Sequence, residues 1–178
     1  VRVSDAKWPR LIATGFIRVF QGTPLLMQLF LVFFGMNIMG FAINPWIAAA
    51  VALTLHASAF LGEIWRGCIE AVAPGQREAA TALGLRYYNR MRYVILPQAA
   101  RIAVAPTVGF LVQLIKGTSL AAIIGFTELT RQGQIINNAT FSPFMVFGTV
   151  AAVYFILCWP LSLLARRMEV KFSRSTAR

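Results

Sequence analysis

No Asp, Glu, Lys or Arg occurs from Val19 to Gly62 or from Gln132 to Ala165. Each uncharged run exceeds the roughly 20 residues that cross a bilayer core, and a chain folding in water has no physical use for either. The feature predicts an all-α integral membrane protein. Composition agrees: 58% of the 178 residues are hydrophobic and 13% are charged, against about 45–50% and about 25% in soluble domains. The net charge of +11 would suit nucleic acid, an anionic membrane surface or a membrane protein with basic loops. Placement decides between them. The aromatics sit mostly inside the uncharged runs rather than among the cations, which argues against any nucleic-acid partner and leaves membrane lipid as the surrounding medium.

The first uncharged run is too long for one span and is broken by Gly35-Met36-Asn37, Gly40 and Asn44-Pro45. Thr23 can cap a first span with its hydroxyl, Pro24 suits the first helical position, and Leu25 to about Phe41 is apolar. A second span is expected from Trp46 to about Cys68. Ala73-Pro74-Gly75-Gln76 opens a basic stretch, Arg77 to Arg92, read as one or two short helices with Gly84 between them and closed by Leu96-Pro97. Apolar character resumes from Ile102 to Ile115. Gly117-Thr118-Ser119 can cap a short helix from Leu120 to Phe126, Glu128 to Asn138 suits an interface or a cavity wall, and a last span runs from about Phe144 to Ala165. That makes four spans in one domain over 1–178. Its parts are a basic segment 1–23, two spans in 24–72, a loop 73–97, two spans with a helical insertion in 98–165, and a tail 166–178.

Cations cluster before the first span (Arg2, Lys7, Arg10, Arg18), around the central loop (Arg66, Arg77, Arg86, Arg90, Arg92, Arg101) and in the tail (Arg166, Arg167, Lys171, Arg174, Arg178). An even number of spans separates the groups, so the central loop and the tail are both expected on the cytoplasmic side. Cys68 and Cys158 are too far apart for a CxxC pair, and one histidine completes no familiar metal spacing with them. Both read as reduced, packed thiols. No signal peptide is expected, and the opening Val-Arg-Val-Ser-Asp suggests that something precedes it.

Polar groups inside a membrane segment are functional candidates, because lipid does not solvate them. On the second span His56, Phe60 and Glu63 stand at i, i+4 and i+7, on one face. Counted from Trp46, His56 falls about 15 Å along the helix and Glu63 about 25 Å. Glu63 can serve a path or form an ion pair with Arg66, and His56 can serve a path or pack as a neutral imidazole. Thr118 and Ser119, with free backbone N–H groups at a helix start, can seat a carboxylate or merely cap. Glu128 and Gln132 form a further i, i+4 pair that lines a cavity or faces water. In the basic loop, a helix starting near Gln76 would hold Glu78 in its first turn and present Ala79, Ala80 and Leu83 as a small apolar face. Such a face suits docking, and it equally suits an ordinary surface helix ended by Gly84. No G-x-x-x-x-G-K-[ST] is present, so this chain does not cradle ATP phosphates itself and no cofactor is expected in it.

The loop reads Glu78-Ala79-Ala80, three residues, Gly84, nine residues, then Val94-Ile95-Leu96-Pro97. This resembles the EAA motif of ABC importer permease subunits, EAA-x3-G-x9-I-x-L-P, with Val94 where Ile is usual. Phe20-Gln21-Gly22-Thr23-Pro24-Leu25-Leu26 resembles the F-R-G-T-P-L-L of the polar amino-acid uptake branch, and Gly117-Thr118-Ser119-Leu120 resembles the end of its K-D-T-S-L. Ser58 to Gly67 is similar to its S-A-Y-x-A-E-I-x-R-G. The likeness covers nearly the whole chain, and it implies a type I ABC importer transmembrane domain. Such permeases usually have five spans, so the first is expected to be absent from these four.

The resemblance implies a multi-pass permease in a bacterial cytoplasmic (inner) membrane that moves a polar amino acid inward. The partners it implies are ATP-binding cassette ATPase subunits, a second permease subunit as homo- or heterodimer, and an extracytoplasmic substrate-binding protein. The Glu78–Gly84 segment would then be the coupling helix, and the chain itself no enzyme. His56 stands where the family more often has Asn. A passive channel or assembly anchor would not need the EAA loop. An intramembrane hydrolase built on His56 with Ser58 or Ser119 fails on geometry, since residues two apart on a helix do not face each other, and no G-x-S-x-G elbow exists.

Overall fold

The computed structural model describes residues 7–176, with the side chains of 8–169. Arg2 and Arg178 lie outside the described residues, as do the side chains of Lys7, Lys171 and Arg174. The described chain is helical throughout: α1 (Lys7–Gly22), α2 (Leu25–Ile38), α3 (Pro45–Glu70), α4 (Pro74–Ala82), α5 (Tyr87–Ile124), α6 (Leu129–Thr140) and α7 (Pro143–Thr176). By length and apolar content α3, α5 and residues Pro143–Glu169 of α7 each suffice to cross a membrane. A fourth crossing is available if α1 and α2, bent by 106° at Gly22-Thr23-Pro24, count together.

The sequence marks 1–23 only as a basic segment, and residues 7–22 of it form α1. It is a helix because its apolar residues form two stripes. Ile17 and the half-buried Ala13 and Phe20 turn inward, while Trp8, Leu11, Ile12 and Val19 stay exposed on the opposite side. Ile17 Cδ1 comes within 3.7 Å of a Cβ built on Gly62 of α3. The start of α2 also differs from expectation. Pro24 is extended and lies just outside the helix, and the Thr23 hydroxyl donates back to the Val19 carbonyl at 2.8 Å instead of capping forward. α2 contains a π turn, Leu31–Gly35, and at about 1.5 Å per residue it is about 21 Å long. It falls short of the roughly 30 Å hydrocarbon core.

α3 begins where Asn44-Pro45 directs: Asn44 Oδ1 accepts from the Ile47 N–H at 2.9 Å, and Pro45 occupies the first turn. α5 overrides two expected breaks. Leu96-Pro97 does not close the preceding stretch, because a π turn at Met91–Ile95 widens the helix just ahead of the proline and accommodates its missing N–H. At the other end Gly117 is ordinary right-handed helix (φ −64°, ψ −24°), and the chain tightens into a 3-10 segment, Thr118–Ile124. α7 likewise runs on past Ala165 to Thr176, with Pro160 inside it.

α5 is the central element, packed on α3 and on α7. Small side chains set the spacing: Ala48, Ala49, Ala52 and Ala121 are 1% exposed or less and surround Leu29 and Ile124. In a bilayer, helix association gains little from hiding apolar surface and depends on close van der Waals approach, which small residues permit. Gly133 shows the same economy, since a Cβ there would lie 2.8 Å from Val150 Cγ2, so α6 meets α7 almost backbone to side chain. A second buried group, Val72, Ile95 and Ala99, lies at the corner where α3, α4 and α5 meet.

Candidate functional site

α4 starts at Pro74, two residues earlier than expected, which moves Glu78 out of the first turn and into the second. Its end is as read. Gly84 takes φ +71°, the Gly84 N–H donates to the Thr81 carbonyl at 2.9 Å, and the Leu85 N–H donates to Ala80 at 3.1 Å. This is a Schellman stop, which favours glycine at the left-handed position. The expected apolar face divides: Ala80 is buried at 3%, whereas Ala79 is exposed and Leu83 is 80% exposed. Glu78 is exposed and makes no ion pair among the described residues.

The inner side of α4 is tied to both neighbouring spans. Arg77 Nη2 donates to the Ile69 carbonyl near the end of α3 at 2.7 Å. Arg90 Nη1 donates to Thr81 Oγ1 at 2.8 Å, and Gln98 Nε2 to Gln76 Oε1 at 3.2 Å, both reaching from α5. Beneath them Ile95 is completely buried. A force on the exposed face of α4 therefore reaches two long helices at once.

Within the packet, His56 and Phe60 share a face as expected, their rings 4.5 Å apart, and Phe110 of α5 completes a stack with Phe60 at 5.5 Å and 10°. His56 Nδ1 lies 3.1 Å from Gln28 Oε1. Gln28 is one of two amides in α2, with Asn37, and its role is visible only once α2 is laid against α3. Glu63 is engaged by Arg66, whose Nη2 and Nε donate to its Oε1 at 2.6 and 3.0 Å; the same guanidinium also bonds Glu70. Of the two readings for Glu63, the structure shows the ion pair.

Thr118 and Ser119 do not begin a helix. The Thr118 N–H is bonded to carbonyls one turn back, and the two hydroxyls donate to the Ile115 and Lys116 carbonyls, each at 2.7 Å. The expected cluster of free donors is not formed, because Gly117 carries the helix through. Glu128 caps α6: its carboxylate accepts from the Thr130 and Arg131 N–H groups at 2.8 and 2.7 Å and from the Tyr154 hydroxyl at 2.9 Å. Gln132 is exposed and borders an apolar cavity of about 330 Å³ between α6 and α7, lined also by Leu129, Ile136, Met145 and Val146. No cluster of three His, Cys, Asp or Glu side chains suited to a metal occurs among the described residues.

The model of the family "Binding-protein-dependent transport system inner membrane component" matches residues 3–177. The chain is 35% identical over 167 residues to a probable amino-acid ABC transporter permease, YckA, of Bacillus subtilis, covering 94% of this chain and 73% of the relative. It is 39% identical over 160 residues to the glutamine transport system permease GlnP of Escherichia coli, covering 89% and 73%. Among solved structures, a crystal structure of an amino acid ABC transporter with histidines superposes with a TM-score of 0.90 at 37% identity, covering 96% of this chain and 79% of that one. The chain thus belongs to the binding-protein-dependent transport system inner membrane components, and within them to the amino-acid ABC transporter permeases.

Proposed function

We propose that the chain is the membrane-crossing half of an ATP-driven importer of a polar amino acid, working as one of a permease pair above two ATPase subunits and below a substrate-binding protein. The central loop and the tail face the cytoplasm, as the cation groups direct. ATP and Mg are bound by the ATPase partners, since this chain has no phosphate-cradling loop. The observation that carries the reading is the two-sidedness of α4. Its outer face offers Glu78, Ala79 and Leu83 to a partner, while its inner face is bonded to the ends of α3 and α5. Ala80 and Gly84 support that face from behind and at its end.

The cargo passes the face formed by His56 and Phe60, with Phe110 opposite. Glu63 holds the lower part of that face in register through Arg66. Thr118 and Ser119 border the path from α5, and Glu128 and Gln132 shape its outer approach by fixing and flanking α6. The test is reconstitution of the permease with its ATPase and binding protein in sealed vesicles, measuring uptake of labelled glutamine, arginine and cystine. Uptake that requires ATP and is lost in Glu78→Lys is expected; uptake independent of ATP would establish a passive channel instead.

A further inference from the structure

Gln28, 6% exposed, is the buried polar side chain of the described core, and it stands where α1, α2 and α3 meet. Its Nε2 lies 2.8 Å from the Phe20 carbonyl, 3.0 Å from the Thr23 carbonyl and 2.9 Å from Thr23 Oγ1. Its Oε1 faces His56 Nδ1 in the middle of α3 at 3.1 Å. The hydrogens of this network can be assigned one by one. Carbonyl oxygens only accept, so the amide must turn its NH₂ toward Phe20 and Thr23; flipped, it would set oxygen against oxygen twice. The Thr23 hydroxyl gives its hydrogen to the Val19 carbonyl at 2.8 Å and so receives from Gln28, sharing one of the two amide hydrogens with the Thr23 carbonyl. Gln28 Oε1 has no hydrogen to offer. His56 Nδ1 must supply one.

The donors thus run in one direction, from His56 through Gln28 and Thr23 into the carbonyls at the end of α1, which have no partner further along that helix. A neutral imidazole carries a single N–H. With that hydrogen on Nδ1, Nε2 is an acceptor. His56 makes one hydrogen bond among the described residues, through Nδ1, and Nε2 is not among the buried atoms left without a partner. It is therefore not fully buried, on a ring that packs against Phe60.

We propose that Gln28 is a positioning residue that holds His56 as the Nδ1–H tautomer, so that Nε2 accepts a hydrogen bond from a donor group of the cargo, an ammonium, amide or guanidinium N–H rather than a carboxylate. The part concerning cargo rests on the transport reading above; the tautomer does not. The bend between α1 and α2 and the chemistry of the path are then one device. The carbonyls that the bend leaves at the end of α1 decide which ring nitrogen carries the hydrogen about two helices away.

His56 is the chain's sole histidine, so its imidazole can be followed individually. The experiment is ¹⁵N-histidine magnetic resonance on the permease–ATPase complex in lipid nanodiscs, with the His56→Asn complex identifying the signal by its loss. The expected result is a hydrogen on Nδ1 and none on Nε2, a shift toward Nε2–H in Gln28→Met, and a move of the Nε2 resonance alone when L-glutamine or L-arginine is added. Propionate, which has a carboxylate and no N–H, should leave Nε2 where it was. Wild-type protein with the hydrogen on Nε2, or on both nitrogens, would overturn the proposal without any variant having to fold. An unchanged tautomer in a folded Gln28→Met complex would overturn the role of Gln28. If ATP-driven uptake of L-glutamine or L-arginine is present and neither amino acid moves Nε2, the cargo contact is wrong. Absence of uptake itself would count against the transport reading, and the tautomer would still decide the positioning.

Discussion

Two corners of this molecule are marked by a glycine, and they behave in opposite ways. At the end of α4, Gly84 adopts φ +71° and stops the helix, leaving a short element with one exposed face and one bonded face. At the end of the long stretch of α5, Gly117 stays right-handed and the helix continues as a tighter 3-10 segment. A Cβ on Gly117 would lie 3.1 Å from Leu25 Cδ2, so its smallness serves contact with α2. The difference teaches that a glycine at a helix end here has two separate uses, a left-handed stop or a close approach. Only the first ends its element and leaves one face of it exposed.

The comparison can be broken most directly at α4. Gly84→Asp and Glu78→Lys should each lower ATP-driven uptake by about tenfold or more, with chain abundance in the membrane unchanged. The first strains the stop, which costs a non-glycine residue about 1–2 kcal/mol, and the second reverses the charge of the free face. Uptake at wild-type rate with normal ATPase stimulation in both variants would refute the docking role of α4.

A smaller effect tests close approach where it is tightest. Gly133→Ala places a Cβ 2.8 Å from Val150 Cγ2, and overpacking of this kind costs about 1–3 kcal/mol. Thermal unfolding of the complex in detergent should therefore begin at a lower temperature than for Gly117→Ala, whose neighbour is the movable end of a leucine. Equal stability of the two variants would show that α6 and α7 are free to separate.

The cap of α6 comes next. Glu128→Ala removes the acceptor of two backbone N–H groups, a loss of about 0.5–2 kcal/mol in other helices, and it leaves the Tyr154 hydroxyl without its carboxylate. Faster amide exchange at Thr130 and Arg131 is the readout; unchanged exchange would mean the carboxylate is not the cap. The smallest effect is expected at Ser119→Ala. The hydroxyl donates to a carbonyl of its own helix, so uptake should stay within about twofold of wild type. A large loss there would revive the free-donor reading of Gly117-Thr118-Ser119 and erase the contrast between the corners.

The elements that could be read in advance are those whose ends carry their own chemistry. Asn44-Pro45 announced α3, and Gly84 announced the stop of α4, because a capping amide, a ring that fixes φ and a residue free to be left-handed act within a few positions. Leu96-Pro97 and Gly117 misled for the converse reason. Each is compatible with a break, and neither imposes one when neighbouring helices reward continuation. α1 was missed because its two apolar stripes, one against α3 and one exposed, read together with Arg10 and Arg18 as an unpatterned basic segment.

From the amino-acid sequence alone follow the membrane class, from the length of its uncharged runs, and the position of α4, from a motif contained in a single loop. His56, Phe60 and Glu63 could be placed on one face for the same reason, since helical periodicity is local. What those residues bond to was decided only by tertiary structure. Gln28 reaches His56 from 28 positions away because α2 lies against α3, and Phe110 closes the stack from another helix. A hydrogen bond joins atoms across space, and spacing along one helix carries no information about which side chain of another helix will arrive there.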